Sequence, residues 1–206
     1  MNARPRRVGM FGGAFDPPHR AHEVLARCAV EQLQLDELRI FPTGQAWHKD
    51  RVTTAAEHRA AMAHLAFDGL PRVVVDEREL ARPGPTYTVD TLRELAAAQP
   101  GAKLFLVIGA DQAQAFGRWH DWPAIVGLAT ISVAGRAGVE RAAGLFSPEV
   151  AAGVAARGRL APLQMPPMDL SATAIRARIA AGLGTDALLA PAVASYIARH
   201  HLYQPH

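Results

Sequence analysis

Short apolar runs along the 206-residue chain alternate with longer segments in which apolar positions recur every three or four residues. The short runs predict β-strands, and the run LFLVI, which is apolar throughout, is typical of a strand covered on both faces. The predicted strands are Val8–Phe11, Leu38–Pro42, Val73–Asp76, Leu104–Ile108, Thr130–Ala134 and a weaker Leu160–Leu163.

Helical periodicity fills the intervals between these runs. The predicted helices are residues 21–33, Ala55–Phe67, Val89–Ala98, Trp122–Leu128, Pro148–Arg157, Ala172–Ala181 and Pro191–His200. Repeated alternation of strand and helix predicts an α/β fold built on a doubly wound parallel sheet with right-handed crossovers. In such a sheet, ligands bind at the carboxyl ends of the strands, where the strand order reverses.

The chain has the length of one α/β domain with a sizeable core, and it shows no internal repeat and no low-complexity linker. The segments ARPGPTY (81–87) and PLQMPPMD (162–169) are interpreted as loops inside one domain. We therefore expect a single domain over residues 1–206.

Composition narrows the classes of partner. A net charge of +3 is too small to indicate a duplex nucleic-acid partner, although it would not repel a phosphate-rich ligand. The single cysteine, Cys28, excludes an internal disulfide framework, and its place on an apolar helical stripe predicts a buried core thiol. No run has the length of a membrane span, so we expect a cytoplasmic protein with no nucleic-acid or membrane partner.

The segment GGAFDPPHRAH follows the first predicted strand directly. Gly12 and Gly13 permit a tight turn and a close approach of the backbone to a ligand. Asp16 suits an N-cap or turn position, while Pro17 and Pro18 suit the first helical positions, where a missing N–H group costs nothing. The pattern predicts a strand, a glycine-rich turn and then a helix.

That helix is expected to begin near His19, which places His19 and His22 on one face of its first turn. A helix N-terminus after a glycine-rich turn attracts anions, and imidazoles there can donate to phosphate oxygens without being charged. Two other interpretations stay open, namely half of a metal site and a structural coincidence. The segment does not match the GxGxxG, Walker A or zinc-protease patterns.

A second segment, LSATAIRARIAAG (170–182), opens a helix farther along the chain. Ser171 suits the N-cap, Thr173 lies in the first turn, and Gly182 suits a C-terminal stop. The segment can be an ordinary capped helix with an exposed arginine. It can also be a second phosphate cradle, in which hydroxyl and N–H groups bind phosphoryl oxygens and Arg176 supplies charge.

The two segments together resemble the nucleotidyltransferase superfamily, whose signatures are GGxFDPxHxGH and an ISxTxIR-like motif. Three further blocks, DERELARPGPTYTVDTL, LVIGADQAQAFGRWHDW and SYIARHHLY, stand in the order found in nicotinate-nucleotide adenylyltransferases of the bacterial type. The resemblance spans nearly the whole chain. It implies a Rossmann-like nucleotidyltransferase fold in which residues 168–206 complete the ATP site, and a reaction of NAD biosynthesis.

The implied reaction transfers the adenylyl group of ATP to nicotinate mononucleotide, with Mg²⁺ entering on the triphosphate. By resemblance, His19, His22 and Arg176 are the catalytic residues, and His22 stabilises the α-phosphoryl group. The residues implied to bind ATP are Gly12, Gly13, Phe15, His19, His22, Ser171, Thr173 and Arg176. No resident metal ligands are implied.

The middle blocks imply the binding of the acceptor. Trp119 matches the stacking tryptophan of the family, whereas Trp122 is expected to pack in the core. The residues implied for the nicotinate carboxylate are Thr88, Val89 and His120. Asp111 matches a family site residue, and Lys49 and Arg136 could pair with a phosphate.

The chain departs from the family pattern at two places. Ala21 replaces the glycine of HxGH, which adds a methyl group where the adenosine is expected to pass. The residues QAW stand where the family usually has a proline pair, which puts the contacts of Lys49 in question.

Three alternative functions remain at this stage. One is an adenylyltransferase for nicotinamide mononucleotide or another phosphate acceptor, and the second is a non-catalytic nucleotide sensor. The third is a metal-dependent hydrolase that uses His19 and His22.

Overall fold

A parallel β-sheet of six strands runs through the computed structural model, which describes residues 4–46, 53–135 and 142–204. The strands are β1 (Arg7–Gly13), β2 (Glu37–Pro42), β3 (Gln45–Ala46), β4 (Val73–Val75), β5 (Pro85–Thr86), β6 (Lys103–Ile108), β7 (Ala129–Gly135) and β8 (Leu163–Gln164). The order in the sheet is β4-β2-β1-β6-β7-β8, while β3 and β5 form a separate parallel pair. The predicted doubly wound parallel sheet is confirmed.

Helices connect the strands and cover both faces of the sheet. They are α1 (Arg20–Gln32), α2 (Ala56–Phe67), α3 (Arg78–Ala81), α4 (Thr88–Ala98), α5 (Ala110–Ala115), α6 (Trp122–Leu128), α7 (Pro148–Ala156), α8 (Ala172–Ala180) and α9 (Pro191–Arg199), with a 3₁₀ turn at Phe116–Arg118. The seven predicted helices are present, with ends that differ by at most one residue.

Strand β6 shows why the sheet is buried on both faces. Leu104, Leu106 and Ile108 pack in the core under α4 and α6, while Phe105 and Val107 pack in the core under α1 and α2. All five side chains are at most 5% exposed. A strand of this kind needs apolar residues at every position, which is the pattern that predicted it.

Short elements inside apparent loops were not predicted. The loop at 81–87 contains β5, which pairs with β3, and the loop at 162–169 contains β8. The weak strand at Leu160–Leu163 is a single bridge from Leu160 to Ile131 followed by β8. Two-residue strands carry no periodicity, so hydrophobic patterning cannot reveal them.

The prediction that Cys28 is buried in the core is wrong, because this residue is only partly buried on α1. The core face of that helix is formed instead by Leu25, Ala26, Ala29 and Val30. Among the described helices, none combines the length and the apolar character needed to cross a bilayer.

The strand order reverses between β1 and β6, because the chain builds β2 and β4 on one side of β1 and then crosses to the other side. Gly12 and Gly13 end β1 next to Phe41 and Pro42 of β2. Ile108 ends β6 at the same edge of the sheet. This edge is the place where a doubly wound sheet opens a ligand crevice.

Gly44 gives a direct test of how tightly the β3–β5 pair is packed. A Cβ atom at this position would lie 2.2 Å from the Glu79 carbonyl oxygen and 2.8 Å from Thr86 Oγ1. We expect Gly44→Ala to lower the free energy of unfolding by about 1–3 kcal/mol, because backbone cannot yield as a side-chain tip can. Urea denaturation measures the change.

The matched control is Gly127→Ala in α6, where a Cβ would meet no atom within 4 Å. Because alanine favours helix, this variant should keep or slightly raise the stability, by up to about 1 kcal/mol. Equal stabilities for the two alanine variants would contradict the packing argument.

Candidate active site

A cavity of about 620 Å³ opens at the carboxyl edge of the sheet, between β1 and β6. Residues predicted from widely separated parts of the sequence meet in its wall. They are Gly12, Gly13, Phe15, His19, His22, Thr88, Asp111, Trp119, His120, Ser171, Thr173 and Arg176. The structure thus places both motif segments and most of the middle-block residues around one space.

Two described residues of interest in the sequence do not line this cavity. The Val89 side chain is fully buried in the core, although its backbone lies in the first turn of α4. Ala21 is half-buried on α1 and is absent from the described cavity wall, so its methyl group does not narrow that space. Lys49 and Arg136 lie outside the described residues.

The turn after β1 is shaped by Phe15, whose backbone adopts the left-handed region with φ of 47°. Its ring is 2% exposed and makes edge contacts with Phe67 at 5.3 Å and with His22 at 5.2 Å between ring centroids. A Cβ on Gly13 would lie 3.0 Å from this ring, so the glycine lets the ring pack closely against the backbone. A strained aromatic residue fixed by packing is typical of a functional turn.

The helix after this turn begins near His19, as expected, but the two prolines do not occupy its first positions. His19 is the N-cap and Arg20 the first helical residue, so Pro17 and Pro18 precede the helix and do not occupy its first turn. The N–H of Arg20 donates to the Leu188 carbonyl at 2.9 Å. The C-terminal part of the chain therefore already binds one of the donors that the helix N-terminus exposes.

The two imidazoles stack face to face, with ring centroids 3.7 Å apart and planes inclined by 19°. The backbone N–H of His19 donates to His22 Nδ1 at 3.1 Å. A nitrogen that accepts this hydrogen bond carries no proton, so the proton of neutral His22 resides on Nε2. Among the described residues, His19 Nδ1 is buried without a hydrogen-bond partner.

Burial keeps both imidazoles uncharged near neutral pH. It lowers the pKa of His19 to about 4. Burial also lowers the pKa of His22 well below its ordinary value, and the neighbouring His19 charge contributes in the same direction. Two cations at this separation would repel each other, and the positive end of the α1 dipole would disfavour both. The pair is therefore a set of neutral donors.

The second motif segment forms a helix N-terminus that faces the same cavity. Ser171 is the N-cap of α8, and its hydroxyl oxygen accepts from the Ala174 N–H at 3.2 Å. Its carbonyl accepts from the Ile175 N–H at 3.0 Å. The N–H groups of Ala172 and Thr173, in the first turn, have no acceptor among the described residues and are free for an anion.

Arg176 joins the two segments. Its guanidinium donates to the Asp16 carbonyl at 2.7 Å and to Thr173 Oγ1 at 3.1 Å. It is the one arginine or lysine in the wall of the cavity as far as the structure describes it. The fixed positive charge of the described site thus sits where the start of α1 meets the start of α8.

Aromatic side chains form a further part of the cavity wall. Trp119 packs against Phe116 with ring centroids 5.2 Å apart, and His120 lies against Tyr87 at 4.4 Å. Trp122, which was expected to pack in the core, is only partly buried and packs against the core, as Trp119 does. Flat rings in a recessed wall suit a flat heteroaromatic ligand.

Glu79 is a cavity residue that sequence reasoning missed. Its carboxyl is 3% exposed and accepts a hydrogen bond from Thr91 Oγ1 at 2.7 Å. Burial raises its pKa to about 7. Close to it, the Thr86 hydroxyl is buried without a partner among the described residues. The block that contains both residues carried the family resemblance, but spacing alone did not single them out.

Arg59 was also missed, because a lone arginine in a helical pattern suggests a solvated side chain. It is 3% exposed and donates to three carbonyl oxygens, those of Thr43 at 2.6 Å, Thr54 at 2.9 Å and Ala14 at 3.2 Å. The side chain ties the loop after β2 to the glycine-rich turn. Burial lowers its pKa, and the Asp16 charge opposes that shift.

Within residues 4–46, 53–135 and 142–204, no three His, Cys, Asp or Glu side chains group closely enough to hold a metal ion. Three carboxylates line the cavity there, those of Asp16, Glu79 and Asp111.

Comparisons with known proteins show the family of the chain. A model of the cytidylyltransferase-like family matches residues 10–178. A probable nicotinate-nucleotide adenylyltransferase of Albidiferax ferrireducens is 55% identical over 199 residues, which cover 97% of this chain and 98% of that protein. A second one, of Methylibium petroleiphilum, is 48% identical over 212 residues, with 100% and 96% covered. The chain belongs to the nicotinate-nucleotide adenylyltransferase family.

A solved structure extends the likeness to the fold. The Plasmodium falciparum nicotinic acid mononucleotide adenylyltransferase complexed with NaAD superimposes with a TM-score of 0.75 over 96% of this chain and 97% of that one. The two sequences are 17% identical, so this likeness shows the shared fold alone. The nicotinate-nucleotide adenylyltransferase family is thus established here by sequence relatives, and the nucleotidyltransferase fold by structure.

The depressed pKa of His19 predicts how stability changes with pH. In the unfolded chain its imidazole binds a proton near pH 6.5, whereas in the folded protein it does so only near pH 4. Between these values the unfolded state binds one more proton at this residue, so the contribution of His19 to stability falls as the pH is lowered, by about 1.4 kcal/mol per pH unit. Urea unfolding at pH 7, 6 and 5 measures this slope.

His19→Asn isolates that contribution, because asparagine is a good N-cap and does not titrate. The variant should lose stability less steeply than the wild type as the pH falls from 6.5 towards 4. Parallel slopes for the two proteins would show that His19 titrates normally in the folded state.

Proposed function

We propose that the protein transfers the adenylyl group of ATP to nicotinate mononucleotide, forming deamido-NAD and releasing pyrophosphate. This proposal rests on one observation, which is that the segments GGAFDPPHRAH and LSATAIRARIAAG meet at one edge of the cavity. Arg176, in α8, donates to the carbonyl of Asp16, in the turn before α1, across 160 positions of sequence. The names of the relatives support the same reaction.

The chemistry needs no nucleophilic side chain. The attacking group is the 5′-phosphate of the acceptor, which is mostly dianionic near neutral pH because its second pKa is about 6. It attacks the α-phosphorus, and the bond from that phosphorus to the bridging oxygen of the β-phosphate breaks. The protein accelerates this reaction by aligning the attacking phosphate in line with the bond that breaks and by stabilising the charge on the transferred group.

We propose that the triphosphate binds to the hydrogen-bond donors at the N-termini of α1 and α8. His22 donates from Nε2 to the α-phosphoryl group, and His19 supplies a second neutral donor beside it. Ser171, Thr173 and Arg176 bind the β- and γ-phosphates together with the N–H groups at the start of α8. In this proposal residues 168–206 complete the ATP site, while Gly12, Gly13 and Phe15 shape the turn beneath the nucleotide.

Mg²⁺ is proposed to enter with ATP. This cation keeps several waters and commonly binds through substrate phosphates and one or two carboxylates. Asp111, exposed at the cavity wall just after β6, is a donor of the right type. When bound, the ion neutralises charge on the triphosphate and the leaving pyrophosphate.

We propose that the aromatic part of the cavity wall binds the acceptor. Trp119 gives the pyridine ring a stacking surface, and Thr88, with its N–H in the first turn of α4, suits the nicotinate carboxylate. The neighbouring Val89 N–H and the His120 ring complete this set. Lys49 and Arg136 remain proposed phosphate contacts.

The acceptor assignment predicts a strong preference in a side-by-side assay. With ATP and Mg²⁺ held constant, nicotinate mononucleotide should be adenylylated much faster than nicotinamide mononucleotide, because the helix-start donors favour an anion. Pyrophosphate release and chromatography of the dinucleotide product measure both rates. An equal or reversed preference would contradict the assignment of nicotinate mononucleotide as the preferred acceptor, and no transfer to either would leave nucleotide binding without catalysis.

His22→Asn tests the donor to the α-phosphoryl group. Asparagine can still accept the His19 N–H at the position of Nδ1, but it offers no donor at the position of Nε2. We expect kcat to fall about 10²–10³-fold, which is typical for the loss of one preorganised donor. The control is His64→Asn, an exposed histidine that contacts Asp68 and Glu77 on the surface. Near-normal turnover by His22→Asn would refute this role.

A further inference from the structure

Tyr203 reaches the glycine-rich turn from the far end of the described chain. Its hydroxyl donates to Asp16 Oδ1 at 2.7 Å, across 187 positions of sequence. The other carboxylate oxygen, Oδ2, receives the Thr54 N–H at the longer distance of 3.4 Å. The Tyr203 contact is therefore the stronger of these two hydrogen bonds to the carboxylate.

Asp16 occupies a position where a small displacement matters. Its side chain is 2% exposed, it lies in the cavity wall, and it precedes His19 by three residues. Its backbone carbonyl is the group that Arg176 binds. One residue thus connects the turn, the first histidine and the fixed positive charge of the described site.

Tyr203 is suited to hold this residue. Its ring is partly buried against the core, and its hydroxyl also lies 3.9 Å from Met62 Sδ. Burial and the Asp16 carboxylate raise the pKa of Tyr203, so the hydroxyl stays protonated and remains a donor. A buried carboxylate in a site for a triphosphate is unfavourable unless it is held and compensated.

We propose that Tyr203 is a positioning residue for ATP, which fixes the Asp16 carboxylate so that the Asp16 carbonyl is presented to Arg176. Tyr203 acts through Asp16 and touches neither the acceptor nor the reacting atoms. Loss of its hydroxyl therefore weakens the binding of ATP and leaves the binding of the acceptor unchanged. This inference rests on the proposed function only in naming ATP as the nucleotide.

The test is the affinity of each variant for MgATP, measured by isothermal titration calorimetry without acceptor. Tyr203→Phe keeps the ring and removes the hydroxyl, and we expect the Kd for MgATP to rise about ten-fold, as for the loss of a hydrogen bond to a charged group. The control is Tyr196→Phe, which removes a hydroxyl on α9 that contacts His58 outside the cavity wall. Its Kd should equal that of the wild type.

Two further readouts separate positioning from general stability. In the Asp16→Asn background, Tyr203→Phe should weaken MgATP binding clearly less than ten-fold, because its hydroxyl then has only a neutral acceptor. In steady-state assays Tyr203→Phe should raise the KM for ATP and leave the KM for nicotinate mononucleotide unchanged. A Kd for MgATP within two-fold of the wild type, or an equal loss in both backgrounds, would overturn the inference.

The outcomes also distinguish this inference from the proposed function. A wild type that binds MgATP but transfers nothing to nicotinate mononucleotide would refute the function, while a weaker Kd for Tyr203→Phe would still support the positioning role. Normal transfer by the wild type with an unchanged Kd in Tyr203→Phe would refute only the positioning role.

Discussion

The hydrogen bond from the Arg176 guanidinium to the Asp16 carbonyl is the contact on which the site depends, because it links two segments that share no strand. The parallel sheet makes this contact possible by bringing the ends of β1 and β6 to one edge, above which α8 can dock. A backbone carbonyl is a useful partner here. It fixes the guanidinium in place and adds no negative charge of its own.

Most of the other donors around this contact are neutral. The stacked imidazoles of His19 and His22 are buried beside each other at a helix N-terminus, where protonation is unfavourable for three separate reasons. Hydroxyl and N–H groups at the start of α8 add further dipoles. A site made mainly of fixed dipoles is already oriented before the ligand arrives, which is the condition for stabilising charge that develops during phosphoryl transfer.

The sequence predicted the fold correctly where burial alone determines which residues are allowed. Strand β6 is buried on both faces and must be apolar throughout, so its bounds were nearly right. Residues of the two motifs were brought together as predicted, because they follow strands or begin helices at one sheet edge. Predictions were wrong or incomplete where position depends on distant contacts. Pro17 and Pro18 precede the helix because His19 caps it. Nothing local marks Arg59 and Glu79 as buried polar residues, or Tyr203 as a hydrogen-bond partner of the glycine-rich turn.

The contact between Asp16 and Tyr203 has a consequence for how the protein is made. Ribosomes add about 5–20 residues per second, so roughly 10–35 s pass between the synthesis of these two residues. In that interval the nascent chain already contains the glycine-rich turn and both histidines, and β1, β2 and β4 can pair. The groups that hold the turn from the other side, Leu188, Arg176 and Tyr203, are still missing. Nucleotide can stabilise the fold through these groups only after they have been synthesised.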